Sequence, residues 1–266
     1  MKIKVILLGL LFAVAVQAQS DSIFTYGSGA DMQVLWNPID STVATFVTSD
    51  TPTPPGGGLA NGVISLWELD ESSAPLEDAV GDNDVPSDSI NDISYQSATV
   101  SNLNYSVSFG AGADPYVRPT TADLELQPPF SVSFWFKEAS ASDYYLRLYG
   151  SEGWRFNSSS GGIVTFRVYG DGLGTADSNV DLTDDAWHNL IGVCDGDSTI
   201  LYVDGVLQTN VDLDEIGTID YTDAVFEWGT NAGAYDYAGE MDQVVIWERK
   251  LLPSAVDSVY IKEFKS

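Results

Sequence analysis

The stretch from Trp187 to Gly205 constrains this chain more than any other. Two short runs of apolar and β-branched residues, His188 to Cys194 and Thr199 to Asp204, flank Asp195, Gly196 and Asp197. Runs of that length and composition suit strands. An Asp-Gly pair between them tolerates the positive φ of a tight turn, so the two strands fold back as an antiparallel hairpin. Asp204 and Gly205 repeat the device at the far end. A hairpin built this way needs further strands to cover it.

The rest of the chain offers those strands. Helix-length apolar periodicity is nearly absent, and turn formers interrupt short aromatic or β-branched runs throughout, as an all-β fold requires. The expected strands are Val63 to Leu69, Tyr105 to Phe109, Tyr116 to Arg118, Phe130 to Lys137, Tyr144 to Tyr149, Trp154 to Asn157 and Val164 to Tyr169. Ala224 to Trp228 and Gly239 to Glu248 follow the hairpin, and a short helix capped by Ser254 closes the chain. Alternation in Phe130 to Phe136 predicts one buried and one wet face. A polar excursion separates the first two strands, from Asp70 to Asn91.

Before that domain, Met1 to Ala18 has Lys2 and Lys4, an apolar run too short to span a bilayer, and small residues at Val16 and Ala18. This reads as a signal peptide cut after Ala18, so the expected location is secreted, extracellular or periplasmic, without a membrane span. Residues 19–50 hold two possible strands, Met32 to Trp36 and Thr42 to Val47, joined by a turn at Asn37 to Asp40 as an N-terminal hairpin. The run 51–58, TPTPPGGG, is a linker, and the main domain is expected over 59–262.

With 39 acidic residues against 11 basic ones, a formal charge of -28, the chain repels a phosphate backbone, and nucleic acid is an unsuitable partner. The acidity reads either as a solvated surface or as a source of hard oxygen ligands for calcium. One histidine, His188, and one cysteine, Cys194, cannot build a zinc cluster or an intrachain disulfide. Both read as structural.

Six pieces in order carry a resemblance. They are Val63 to Ser73 (VISLWELDESS), Asp78 to Asp84 (DAVGDND), Phe130 to Phe136 (FSVSFWF), Trp187-His188, Leu201 to Val206 (LYVDGV) and Gly239 to Leu252 (GEMDQVVIWERKLL). From about Asn61 to Tyr260 the chain resembles the laminin-G-like, concanavalin A-like jelly-roll domains of secreted bacterial and phage proteins. The resemblance implies a β-sandwich of two antiparallel sheets. It also implies a structural calcium ion where the first and last strands meet, held by Asp70, Asn83, Asp84 and Asp242. Trp67, Trp135, Trp187 and Trp247 fall on strand positions and read as core, whereas Tyr144, Tyr145, Trp154 and Tyr235 are the loop aromatics on which a sugar could stack.

Such sandwiches serve as lectins, adhesion modules, glycosidases and lyases, so the fold alone does not choose. Retaining hydrolysis needs two carboxylates about 5 Å apart. The glucanase pattern Glu-x-Asp-x-x-Glu has Val245 in place of its second glutamate after Glu240 and Asp242, and Ser73 in that place after Glu68 and Asp70. Lyase chemistry on uronic acids calls for basic groups that are scarce here. The reading is a non-catalytic recognition module for a glycan at a cell or virion surface. The alternatives are a structural or adhesive protein with a protein ligand and, below that, a divergent glycoside hydrolase or polysaccharide lyase.

Overall fold

The structure, a computed structural model, describes residues 24–26, 33–35, 59–97, 105–110, 114–119, 123–141, 144–158, 161–211, 215–230 and 236–260. It divides into two units, 1–58 and 59–266. In the first, β1 (Phe24–Tyr26) pairs antiparallel with β2 (Gln33–Leu35). The partner of β2 is thus upstream of it. The hairpin expected with Thr42 to Val47 lies in part outside the described residues.

The second unit is a sandwich of two antiparallel sheets. Its strands in order are β3 (Val63–Trp67), β4 (Ile90–Asn91), β5 (Ile93–Gln96), β6 (Ser106–Phe109), β7 (Tyr116–Val117) and β8 (Phe130–Lys137). Then come β9 (Tyr144–Tyr149), β10 (Gly153–Ser158), β11 (Val164–Tyr169), β12 (Leu173–Asp177) and β13 (Trp187–Cys194). β14 (Thr199–Val203), β15 (Val206–Leu207), β16 (Asn210–Val211), β17 (Val225–Trp228), β18 (Gly239–Trp247) and the helix α1 (Pro253–Tyr260) complete the chain. The front sheet runs β15-β14-β13-β8-β18-β6-β5, with β3 also on β18. The back sheet runs β16-β12-β11-β10-β9-β17-β7-β4.

The hairpin that opened the reading of the sequence is β13 and β14. Cys194 pairs with Thr199 across the turn, where Gly196 takes φ +99 and the Asp195 carboxylate accepts from the Asp197 amide and the Ser198 hydroxyl. At the other end Val203 pairs with Val206, leaving Asp204 and Gly205 as a two-residue turn with φ +50 and +77. Two consecutive positive φ values match the twist of a hairpin.

Between the sheets, Phe134, Phe136, Phe156, Phe166, Phe226, Trp67, Trp154 and Trp228 form one continuous aromatic core. Gly192 lies on the inner side of β13. A Cβ there would come within 2.6 Å of Phe156 and 2.8 Å of Phe166, whose rings stack at 4.5 Å.

The outer face of the front sheet differs from expectation. β8 was expected to wet one face, yet all of Phe130 to Phe136 is buried. The reason is a second apolar cluster: Ile191, Val193, Val245 and Trp247 pack with Leu251, Val256 and Val259 of the closing segment and with Leu59 and Val63. Ser131 bonds the backbone of Arg249 and Leu251, tying that segment down. The closing helix therefore lies over the front sheet.

Candidate functional site

The outer face of the back sheet is built differently. Along β9, β10, β11 and β12 the buried residues alternate with partly exposed ones. Those outward positions are Tyr144, Arg147 and Tyr149 on β9, Arg155 and Asn157 on β10, Arg167 and Tyr169 on β11, and Thr175 and Asp177 on β12. Register brings them into rows. Arg147 stands opposite Arg155, Arg155 opposite Arg167, and Arg167 opposite Thr175. On the other side Arg147 stands opposite Glu227 of β17, and Arg118 follows β7.

Glu227, 3% exposed, is gripped from both sides. Arg118 donates to one carboxylate oxygen and Arg147 to the other, at 2.7 to 2.9 Å. Among the described residues Arg155 pairs with no carboxylate. It donates to the Tyr169 hydroxyl at 2.7 Å and lies 5.1, 5.3 and 5.7 Å from the ring centres of Tyr169, Tyr144 and Tyr149. Tyr149 and Tyr169 flank Gly153, which has no side chain to separate them, and meet edge to face at 5.3 Å. Arg118 likewise lies 3.9 Å over Tyr116. The face thus alternates guanidinium and phenol.

Of the three described aromatics expected to stack on sugar, Tyr144, Tyr145 and Trp154, only Tyr144 belongs to this face. Tyr145 and Trp154 were expected as exposed rings and are instead buried in the core, 0% and 1% exposed. A register shift between Phe156 and Asn157 puts Tyr144 opposite Asn157 and turns Tyr145 inward. There the Tyr145 hydroxyl donates to Glu138, and burial, then the Glu138 charge, pushes its pKa well up. Trp154 meets Phe130, Phe156 and Phe226. A ring enclosed on both faces offers nothing to a pyranose. Tyr235 lies outside the described residues. Tyr149, Tyr169 and the arginines beside them were not singled out from the sequence, although the spacing of Arg147, Arg155 and Arg167 within three successive strands was there to be aligned.

The four residues expected to hold calcium are placed as follows. Asp70 accepts from the Tyr105 amide, Asp84 from the Asp78 amide, and Asn83 donates from its side chain to Ser65 and its carbonyl accepts from the Trp67 indole. Asp242 is buried on β18 opposite Trp135. Among the described residues no three His, Cys, Asp or Glu side chains are grouped as a metal would need. The loop from Asp78 to Asp84 is organised by Asp78 itself, which was not among the expected ligands. Its carboxylate accepts from the amides of Leu66, Val80, Gly81 and Asn83. Burial alone would push its pKa up, but those amides and the Ser65 hydroxyl outweigh burial and hold it below the ordinary value.

The remaining polar candidates are engaged structurally. Glu240 pairs with Lys137 at 3.3 Å and accepts from Ser106. Val245, where the glucanase pattern wants a glutamate, is buried with the closing helix. His188 lies between Asp204 at 2.8 Å and Asp184 at 3.1 Å, and the hydrogen bond to Asp204 raises its pKa. Burial pushes the Cys194 thiol up to about 11, the opposite of an activated nucleophile. Of the four tryptophans expected in the core, Trp67, Trp135 and Trp247 are buried and Trp187 is partly exposed.

Two antiparallel sheets face to face, one covered by a helix and one bearing an open polar-aromatic face, define a jelly-roll sandwich of the lectin and glucanase kind. Residues 111–257 match the family described as the concanavalin A-like lectin/glucanases superfamily, and the chain belongs to it. No curated protein sequence matches the chain.

Solved structures agree on the fold. The binding domain of Paraclostridial Mosquitocidal Protein 1 has a TM-score of 0.64 at 11% identity, covering 78% of this chain and 54% of that one. Domain 4 of AbnA, a GH43 extracellular arabinanase from Geobacillus stearothermophilus solved with arabinotriose, scores 0.59 at 15% identity, covering 74% and 98%. A botulinum neurotoxin type C structure, whose description ties cell entry to two ganglioside molecules, scores 0.56 at 13% identity, covering 77% and 53%. This chain therefore spans about half the length of the toxin structures. At these identities the likeness is one of fold.

Proposed function

We propose that this protein is an exported, non-catalytic carbohydrate-binding module and that the outer face of the back sheet receives the glycan. The observation that carries this reading is the set of partly exposed tyrosines on that face, Tyr144, Tyr149 and Tyr169, which stand on rigid strands. Phenol rings held this way offer flat apolar surface to a pyranose while their hydroxyls bond its oxygens. The front sheet has its outer face under the closing helix, so the back sheet is the open one. Two of the fold's relatives support a sugar ligand by what they are described with, arabinotriose and gangliosides. Export rests on the apolar leader at Met1 to Ala18; among the described residues no helix is long and apolar enough to cross a membrane. A structural calcium ion near Asp70, Asn83, Asp84 and Asp242 stays part of the proposal, and calorimetry with and without calcium chloride tests it.

A glycan array followed by calorimetry tests the proposal. Binding is expected with a dissociation constant in the micromolar to millimolar range, weakened about tenfold by Tyr169→Ala, because each stacked ring contributes about 1 kcal/mol or more. Failure to bind any glycan across a broad panel sinks it. Release of reducing ends from a polysaccharide would revive the glycosidase alternative.

A further inference from the structure

Arg147, Arg155 and Arg167 stand directly opposite one another on three adjacent strands. Partners so placed have Cβ atoms about 5 Å apart, and like charges there weaken a sheet. Glu227 offsets one end of the row by lying between Arg118 and Arg147. Arg155 and Arg167 continue beyond it, and neither takes part in any ion pair among the described residues. The tyrosines around Arg155 orient its guanidinium without neutralising it, and its Nε is buried with no hydrogen-bond partner.

This clustering runs against the composition. A chain of formal charge -28 places four of its arginines, Arg118, Arg147, Arg155 and Arg167, on one face of one sheet. A surface that only needed solubility has no reason to concentrate its few cations in a repelling file. An anion arriving from outside supplies that reason.

The geometry points to an acidic glycan, one whose sugars carry carboxylate or sulfate groups, lying along the back sheet with its charges on Arg155 and Arg167. This inference rests on the carbohydrate reading and deepens it. Glu227 shows how the row takes an anion: each carboxylate oxygen receives the planar fork of one arginine. Tyrosine rings between the arginines face the sugar body, so charge and ring alternate along the ligand as they do along the strands. The net negative charge of the chain does not forbid this. At physiological ionic strength charges beyond about 8 Å are largely screened, so a short ligand on the row responds to the arginines nearest it.

The test uses the mature full-length chain and three probes: an oligogalacturonate, a neutral galactan oligomer of equal length, and a sulfated galactan oligomer. Calorimetry is expected to show tighter binding of the uronate or the sulfated probe than of the neutral one, the two acidic arms telling carboxylate from sulfate. R155Q and R167Q are each expected to lose about tenfold in affinity for the acidic probe, the loss of one charge-assisted contact, and to keep or raise Tm because a like-charge contact is relieved. Equal binding of acidic and neutral probes, untouched by either substitution, overturns the acidic inference and leaves the carbohydrate reading standing. Absence of binding to all three, with glycan-array silence, removes both. Salt-sensitive self-association abolished by R155Q, without sugar binding, makes the row a contact between copies and overturns the proposal.

Discussion

Two single residues carry charge where the fold depends on it. Asp78, 8% exposed, gathers four backbone amides and thereby closes its loop. Replacing it by alanine strands those donors, and the expected cost is about 3 kcal/mol in urea denaturation. Its folded pKa lies below the ordinary value, so its contribution is present above the unfolded pKa near 3.9 and is lost as pH falls through the lowered folded one. His188 has the opposite sign. The Asp204 hydrogen bond raises its pKa against the effect of burial, and Asp184 adds to the rise. Its contribution is complete below the ordinary imidazole value near 6.5 and fades as pH climbs through the raised folded value. Denaturation midpoints measured from pH 5.5 to 9 should therefore drop more for the parent than for H188Q. Parallel curves would mean that the imidazole titrates alike folded and unfolded.

At the scale of elements, the sandwich closes only because a glycine stands where one sheet meets the stacked rings of the other. Gly192 on β13 faces Phe156 and Phe166 of β10 and β11. G192V inserts two methyl groups and a Cβ into a space already filled, with an expected loss of about 2 to 3 kcal/mol by chemical denaturation; an unchanged midpoint would show that the sheets can move apart freely. Elements rich in aromatic and β-branched residues were legible without coordinates: β8, β9 and β11 begin and end where those runs placed them. β12, LGTAD, was missed because its glycine, alanine and aspartate have no strand character of their own and take it from pairing with β11. The site was less legible than the fold. Whether Tyr144 or Tyr145 faces outward turns on a one-residue irregularity between β9 and β10, and such a slip reverses every face beyond it. Likewise, Arg147, Arg155 and Arg167 are eight and twelve residues apart in sequence and become neighbours only through register.

For the molecule as a whole, charge acts twice and in opposite directions. A formal charge of -28 on one chain makes the compact state repel itself, and that repulsion is long-ranged at low salt, where the screening length is about 30 Å at 0.01 M. At 0.15 M it shrinks to about 8 Å, so distant carboxylates cease to see one another while the Glu227 clamp, at 2.7 to 2.9 Å, is hardly touched. Tm should therefore rise by several degrees as sodium chloride is raised from 10 to 500 mM. Over the same range affinity for an acidic oligosaccharide should fall, because the arginines that receive it are partly exposed and their ionic contacts are screened. The two trends have different origins and should part in the variants. R155Q and R167Q leave the stabilisation of the fold by salt intact, since it belongs to the sum of the acidic surface, and flatten the salt dependence of binding, since that belongs to the row. A Tm that falls with salt would mean that the paired charges outweigh the repelling ones, and that the acidity of this chain is spent on specific contacts rather than on its surface.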